Sequence, residues 1–401
     1  MQEKCLIKLR NCCKIMGDKN EQERQKNSRE RVMRVQFNAV LKDVTRKGTK
    51  IQTDEYLTEG KFPIIDQGNN DIAGYRDDET GLFTDVPAIV FGDHTRIVKY
   101  ITEPFFLGAD GVKVLVPIDR TMNCKYLYYQ LLSAKIPDTG YNRHFKWVKE
   151  LEFQLPSRNE QDDVVKRLDK LCVVISARQQ QLAKLDELVK ARFVEMFGDS
   201  ETNPKSWPTI PIGKTITSCE SGWSGNGTQR LKKHGEIAVL KVSAVTKGIF
   251  IPEECKVLDD QENIKKYIFP QKGDLLFSRA NTREMVGATA VVSEDYPEHI
   301  LPDKLWRIRF NNDVTVWYMK HVLSSPSVRS KFSAVSTGTS GSMYNVSMDK
   351  FKSIVIPIPP LHRQQQFADF VEQVNSLVQV IQKSLEQMKT LKKALMQQYF
   401  G

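Results

Sequence analysis

Apolar residues recur at three- and four-residue intervals through the last forty residues of the chain. Val371, Val374, Val378, Ile381, Leu385, Met388, Leu395 and Tyr399 have the spacing that places side chains on one face of an α-helix. Moved back by 203 positions (344 minus 141), the same stripe reads Leu168, Leu171, Ile175, Leu182, Leu185 and Met196, interrupted by Arg178 and Arg192. The match extends upstream without a gap. Tyr141-Asn142 falls on Tyr344-Asn345, Lys149 on Lys352, Pro156 on Pro359 and Gln161 on Gln364, and Phe197-Gly198 meets Phe400-Gly401. Ahead of each Pro, Leu151, Phe153 and Leu155 alternate as Ile354, Ile356 and Ile358 do. Each copy therefore predicts a short strand, a Pro-marked turn and one long helix.

Ser157 with Glu160 has the form of a capping box, Pro360 suits a first helical position, and Gly198 and Gly401 stand where a helix ends. No Pro or Gly interrupts either helix between these signals. About 40 residues at 1.5 Å each make a rod of roughly 60 Å. A stripe that long needs a partner, and the shared register predicts that the two helices pair with each other as an antiparallel coiled coil.

A chain of 401 residues suits two or three domains. The repeat divides it into an N-terminal extension (1–33), a first globular domain (34–156), a first spacer helix (157–198) and a linker (199–206). A second globular domain (207–359) and a second spacer helix (360–401) follow. Strands are expected at 88–91, 97–100 and 112–116, with a helix over 125–134. The second domain predicts strands at 237–242, 274–277, 288–292 and 305–310 and a helix over 316–323. The fold class is α+β, with an internal pseudo-two-fold repeat. In the extension, the charged run Gly17–Arg31 carries no apolar stripe and reads as a solvated segment.

Composition adds a direction. A net charge of +10 and a pI near 9.1 favour a polyanionic partner, most simply nucleic acid. Seven cysteines without a Cys-x-x-Cys pair read as reduced thiols of a cytoplasmic protein. No apolar run approaches the length of a membrane span.

Amide and guanidinium side chains gather at the turns between the expected strands. Asn and Gln can grip adenine, and Arg guanine, through paired hydrogen bonds. In the first domain the candidates are Gln67, Asn69, Asn70, Tyr75, Arg76, His94 and Arg96. The segment Tyr141–Lys146 adds Asn142, Arg143 and Lys146 just before the repeated strand. The second domain offers Arg279, Asn281, Arg283, Lys304, Tyr344 and Asn345. Any one of these could simply be making a turn; the clusters together read as a DNA-binding surface.

Catalytic patterns are missing. Gly222–Gly227 lacks the Lys-Ser/Thr of a phosphate-binding loop, and no Asn-Pro-Pro-Tyr/Phe occurs. Pro302-Asp303 is not followed by Asp/Glu-x-Lys, and the six His have no metal-ligand spacing. The pattern predicts recognition without catalysis, and neither cofactor nor metal is expected.

With the repeat and these segments in view, the chain resembles the specificity subunit of Type I restriction–modification enzymes. The resemblance rests on "GDLLFSRANTREMVG" (273–287), "LPDKLWRI" (301–308), "PAIVFGDHTRIVKY" (87–100) and "FLGADGVKVL" (106–115). The Ile-x-Ile-Pro-x-Pro and Gln before the second helix, shortened to Leu155-Pro156 with Gln161 before the first, also fit. It covers about residues 34–401, and the N-terminal extension departs from the pattern. The resemblance implies two target-recognition domains on double-stranded DNA, each reading half of a split target. It also implies two methyltransferase subunits that flip adenine for N6 methylation and two nuclease/translocase subunits. A free-standing DNA-binding regulator with a coiled-coil spacer is the alternative from a different class.

Overall fold

The computed structural model describes residues 33–108, 110–337 and 343–401. The expected extension, apart from Met33, and the middle of the Ser336–Asn345 loop lie outside the described residues. The chain forms two compact units, one running through Ala177 and taking in Ser384–Gly401, the other spanning Arg178–Lys383.

In the first unit, Ala88–Gly92 is buried along its whole length and forms one of the two inner strands of an antiparallel sheet. The order across that sheet is Leu41–Asp43, Val112–Pro117, Ala88–Gly92, Val98–Ile101. Burial on both faces explains the uninterrupted apolar run of Ala88–Phe91. A second sheet places Phe62–Ile65 between an antiparallel Gly74–Arg76 and a parallel Phe106–Leu107. Tyr126, Leu127 and Leu131 of the helix Cys124–Ser133 close the core over Ile89, Phe91 and Leu115. Finally, Met33–Gln36 runs antiparallel to Glu152–Leu155, joining the domain's first strand to its last.

The second unit repeats this plan. Ile216–Ser221, Leu305–Phe310, Leu275–Ser278 and Thr289–Val291 form the antiparallel sheet in the same order. Ala238–Leu240 again has an antiparallel neighbour, Cys255–Leu258, and a parallel one, His299–Ile300. Thr209–Pro211 pairs antiparallel with Val355–Pro357. The duplication read from residue 141 onward thus extends through the whole of each domain. Loops of different length hide it from a fixed-offset comparison. The second domain also carries elements that the first lacks, among them a strand Gly227–Thr228 beside Cys255–Leu258, a helix at Pro326–Val335, and a two-residue pairing of Ala280–Asn281 with Tyr344–Asn345.

The long helices occupy Arg158–Phe197 and Leu361–Phe400, 40 residues each. Glu160 accepts hydrogen bonds from the Ser157 backbone (3.0 Å) and hydroxyl (2.7 Å), so the side-chain half of the expected box is turned onto the carboxylate. Pro360 stands one residue earlier than expected. It is the cap, and its carbonyl accepts from the N–H groups of Arg363 and Gln364. Gly198 ends the first helix at φ +79°, with its N–H on the carbonyl of Val194.

The repeated glutamines do the same work in both copies. Gln161, buried, donates to the carbonyl of Pro156 (2.9 Å) and accepts from the backbone N–H of Asn123 (2.9 Å). Gln364, also buried, donates to the carbonyl of Pro359 (2.8 Å) and accepts from the N–H of Thr315 (3.0 Å). Asn123 and Thr315 each cap the short helix of their domain. One amide therefore ties the start of a long helix to the start of a short one, twice.

Helix packing can be followed within each unit. In the first, Val164 and Val165 from the start of the first long helix and Phe400 from the end of the second pack on one core cluster. The Phe400 ring lies 5.3 Å from that of Tyr126, while Asp169 accepts from the Tyr129 hydroxyl (2.6 Å) and the Lys125 ammonium (2.8 Å). In the second unit, Phe193 and Phe197 at the end of the first helix meet Phe367 at the start of the second, at 5.4 and 5.5 Å. That contact runs in the antiparallel sense. Every apolar residue of the two stripes is buried or half-buried. The stripes omit Val189, Phe193 and Phe197, which belong to the same core cluster as the domain helix Val316–Ser324, the two phenylalanines lying against Tyr318. Lys392 occupies the position equivalent to Val189, so a register copied from the other helix cannot include it.

His321 lies in this junction, stacked on Phe193 with Phe367 edge-on, and its Nδ1 contacts the carbonyl of Trp317 at 2.9 Å. Burial, reinforced by the charge of Lys320, pulls its pKa down to about 3. The folded state therefore holds a neutral imidazole that the unfolded chain protonates below about 6.5. Stability should fall as the pH drops from about 6.5 toward 3. Urea melts of wild type and His321→Phe across that range would test this, since the variant should lose that part of the acid dependence.

Candidate nucleic-acid interface

The two central strands both deliver their next residue to the repeated segment. Asp93 follows Gly92, and its carbonyl accepts from the backbone N–H of His144 (2.7 Å) while its Oδ1 accepts from that of Phe145 (2.7 Å). Arg279 follows Ser278, and its carbonyl accepts from the N–H of Val346 (2.9 Å). In each domain, the loop after this inner strand is thus clamped to the repeat just beyond its Tyr-Asn pair, at His144 and Phe145 in one domain and at Val346 in the other.

Around the first clamp, the His94 ring stacks on Tyr141, with centroids 4.6 Å apart and planes 7° from parallel. Its Nδ1 lies 3.2 Å from the carbonyl of Asn142. Gln67 accepts from the His94 backbone N–H (3.1 Å) and donates to the carbonyl of Asp110 (3.1 Å), while its own carbonyl accepts from the Thr95 hydroxyl. The Gln67 amide is a brace between three loops. Gly111, at φ +86°, leaves room for it, since a Cβ there would sit 2.5 Å from Nε2. Arg96, at φ +62° in its turn, donates to Asp138 (2.6 Å). The N–H of Gly140, with Arg96, holds the Asp138 carboxyl below the usual carboxylate range. Asn142 donates to the carbonyl of Thr139 (2.6 Å). Arg143 and Lys146 are exposed, the latter with its ammonium 4.1 Å from the Trp147 ring. Asn69 and Asn70 are exposed too, and the Asn70 carbonyl accepts from Lys99 (2.5 Å).

Tyr75 and Arg76 lie in a separate network on the outer strand of the three-stranded sheet. Arg76 pairs with Glu55 and Asp78, both at 3.3 Å, over the ring of Phe106. Its charge is spent on holding that sheet's edge.

The second clamp gathers all six candidates of its domain. Arg279 donates through Nε to the carbonyl of Asp303 (2.8 Å) and through its backbone to the carbonyl of Lys304 (3.1 Å). Asn281 pairs with Tyr344, and Ala280 with Asn345. The Asn281 Oδ1 accepts from the N–H of Thr282 (2.8 Å), and the Arg283 guanidinium, bonded to Ser333, lies 6.0 Å from the Tyr344 ring centre. Asp303 also accepts from the hydroxyl of Ser224. The Pro302-Asp303 pair thus anchors an arginine here. Sequence reasoning missed Asp93, Asp138 and Asp303 as braces, because each acts on a residue distant in the chain.

Among the described residues no group of three or more His, Cys, Asp or Glu could hold a metal ion, and no helix is long and apolar enough to cross a membrane. The four described cysteines are free thiols.

Comparison with known proteins places this architecture in a family. The model of the Type I restriction modification DNA specificity domain matches residues 38–187 and again 222–390. The chain belongs to that family, and carries its domain twice. It is 24% identical over 249 residues to the EcoKI specificity subunit of Escherichia coli K12, a match covering 59% of this chain and 53% of that protein. It therefore spans about half the length of that relative. Against the Escherichia coli EcoR124I/EcoR124II specificity subunit, identity is 21% over 363 residues, covering 83% and 86%. The fold is similar to the Type I S subunit of M. genitalium, with a TM-score of 0.59 at 15% identity, over 92% of this chain and 96% of that one.

Proposed function

We propose that this chain is the DNA-reading subunit of a Type I restriction–modification assembly. Residues 34–156 and 207–359 act as target-recognition domains, each reading one half of a bipartite duplex target. The helices within 157–198 and 360–401 set the gap and seat two methyltransferase subunits, with two nuclease/translocase subunits joining the assembly in the cytoplasm. The partners methylate adenine N6 and cut; this chain supplies the address and no chemistry of its own.

The observation that carries the reading is that both clamps follow an inner strand of the repeated sheet, which gives one chain two loop clusters rich in Arg, Asn and Lys at matching places in the fold. Exposed apolar side chains on the long helices, Val173 and Val174 in one unit and Leu377 and Val380 in the other, support coverage by partner subunits.

Co-expression with the cognate methyltransferase, followed by adenine-methylation mapping, tests it. A split target should be modified. Arg143→Ala should relax one position of the first half-site and Arg283→Ala one of the second, each costing about 1–3 kcal/mol if the arginine reads a base. Tight site-specific binding without any methyltransferase would favour a free-standing regulator. A change in the first half-site on mutating Arg283 would overturn the assignment of domains to half-sites.

A further inference from the structure

Tyr141 is 87% exposed, a large aromatic surface left in water at the tip of a loop. Its ring nevertheless has a partner, lying nearly parallel to that of His94 at 4.6 Å. His94 is itself fixed, by the Asn142 carbonyl at its Nδ1 and by Gln67 at its backbone. A flat ring backed on one side and open on the other is a platform for a third flat ring. The exposed cations Arg143 and Lys146 stand within five residues of it, where a phosphate backbone would be attracted.

The equivalent Tyr344 is built differently. It is half-buried, its backbone is paired with Asn281, and the Arg283 guanidinium already lies over its ring. We propose that Tyr141 stacks on a nucleobase of the half-site read by the first domain, with His94 as its backing, and that Tyr344 does not stack in the second. This rests on the DNA-reading function proposed above and gives the two half-sites unequal roles. Stacking on a base face tolerates any base. Tyr141 would therefore add affinity and distort the duplex locally, leaving the choice of bases to the neighbouring polar groups.

The test uses the full chain with its methyltransferase partners and duplexes of the mapped target. These carry 2-aminopurine at successive positions other than the methylated adenines. Wild type should quench the probe at one position of the first half-site. Tyr141→Ala should abolish that quenching and weaken binding by roughly tenfold or more, without changing the methylated sequence. Tyr141→Phe should behave as wild type, and Tyr344→Ala should leave the quenching at the first half-site in place. Quenching and affinity unchanged in Tyr141→Ala would overturn the inference. So would a Tyr141→Phe variant as impaired as the alanine, which would assign the role to the hydroxyl. Failure of the wild-type assembly to bind any specific duplex would instead remove the DNA-reading function itself.

Discussion

Replacing Phe367 with alanine is expected to destabilise the second unit by about 3–5 kcal/mol, the usual loss for a large buried aromatic. Phe367 is fully buried and makes edge-to-face contacts with Phe193, Phe197 and His321. Truncation would open a cavity where the end of one long helix, the start of the other and a domain helix converge. Urea denaturation followed by tryptophan emission reports on this region, because Trp207, Trp223, Trp306 and Trp317 all lie in the second unit. A loss within about 0.5 kcal/mol, the size of an ordinary surface change, would mean that the helix junction is not packed as described.

The second large effect is expected from the glutamine bridges. Gln364→Ala strands the N–H of Thr315 and the carbonyl of Pro359, both previously bonded to the same buried amide. Leaving such groups unpaired costs about 1–3 kcal/mol each where water cannot reach them. A loss on the order of 2–3 kcal/mol is therefore expected by thermal or urea melting. Gln161→Ala should cost a similar amount, because its bonds to Asn123 and Pro156 have the same lengths to within about 0.1 Å. A neutral outcome at both positions would mean that water or backbone movement replaces the amide.

The long helices were legible because a 3-4 apolar rhythm, a cap and a terminal glycine act locally and agree with one another. Ala88–Phe91 and Leu305–Phe310 were legible from a different local signal, short apolar-rich runs between turn residues, and the helix at 316–323 was legible too; their bounds differ from the structure by at most one residue. The common topology of the two domains was not. Its strands pair across tens of residues, and intervening loops of unequal length destroy any constant offset. The candidate site shows the same division. Arg76 and Arg143 are indistinguishable as letters, yet Glu55 and Asp78 engage the first while the second stays exposed. What separates a brace from a free side chain is a carboxylate or carbonyl brought from elsewhere in the chain. Gln161 and Gln364 were visible as a coincidence of the repeat. Their meaning required the helix caps of the two domains, which stand at different offsets from them.

The pairing of each domain's first strand with its last has a consequence for inheritance. Met33–Gln36 lies beside Glu152–Leu155, and Thr209–Pro211 beside Val355–Pro357, so the chain enters and leaves each domain at adjacent points. Everything between two such points is a cassette. Genetic exchange at those short joints would install a complete foreign reading surface while leaving the helical stripe and its register untouched. The glutamine bridge makes few demands on the newcomer. It takes a backbone N–H, from Asn123 in one domain and Thr315 in the other, so any incoming helix start except proline can satisfy it.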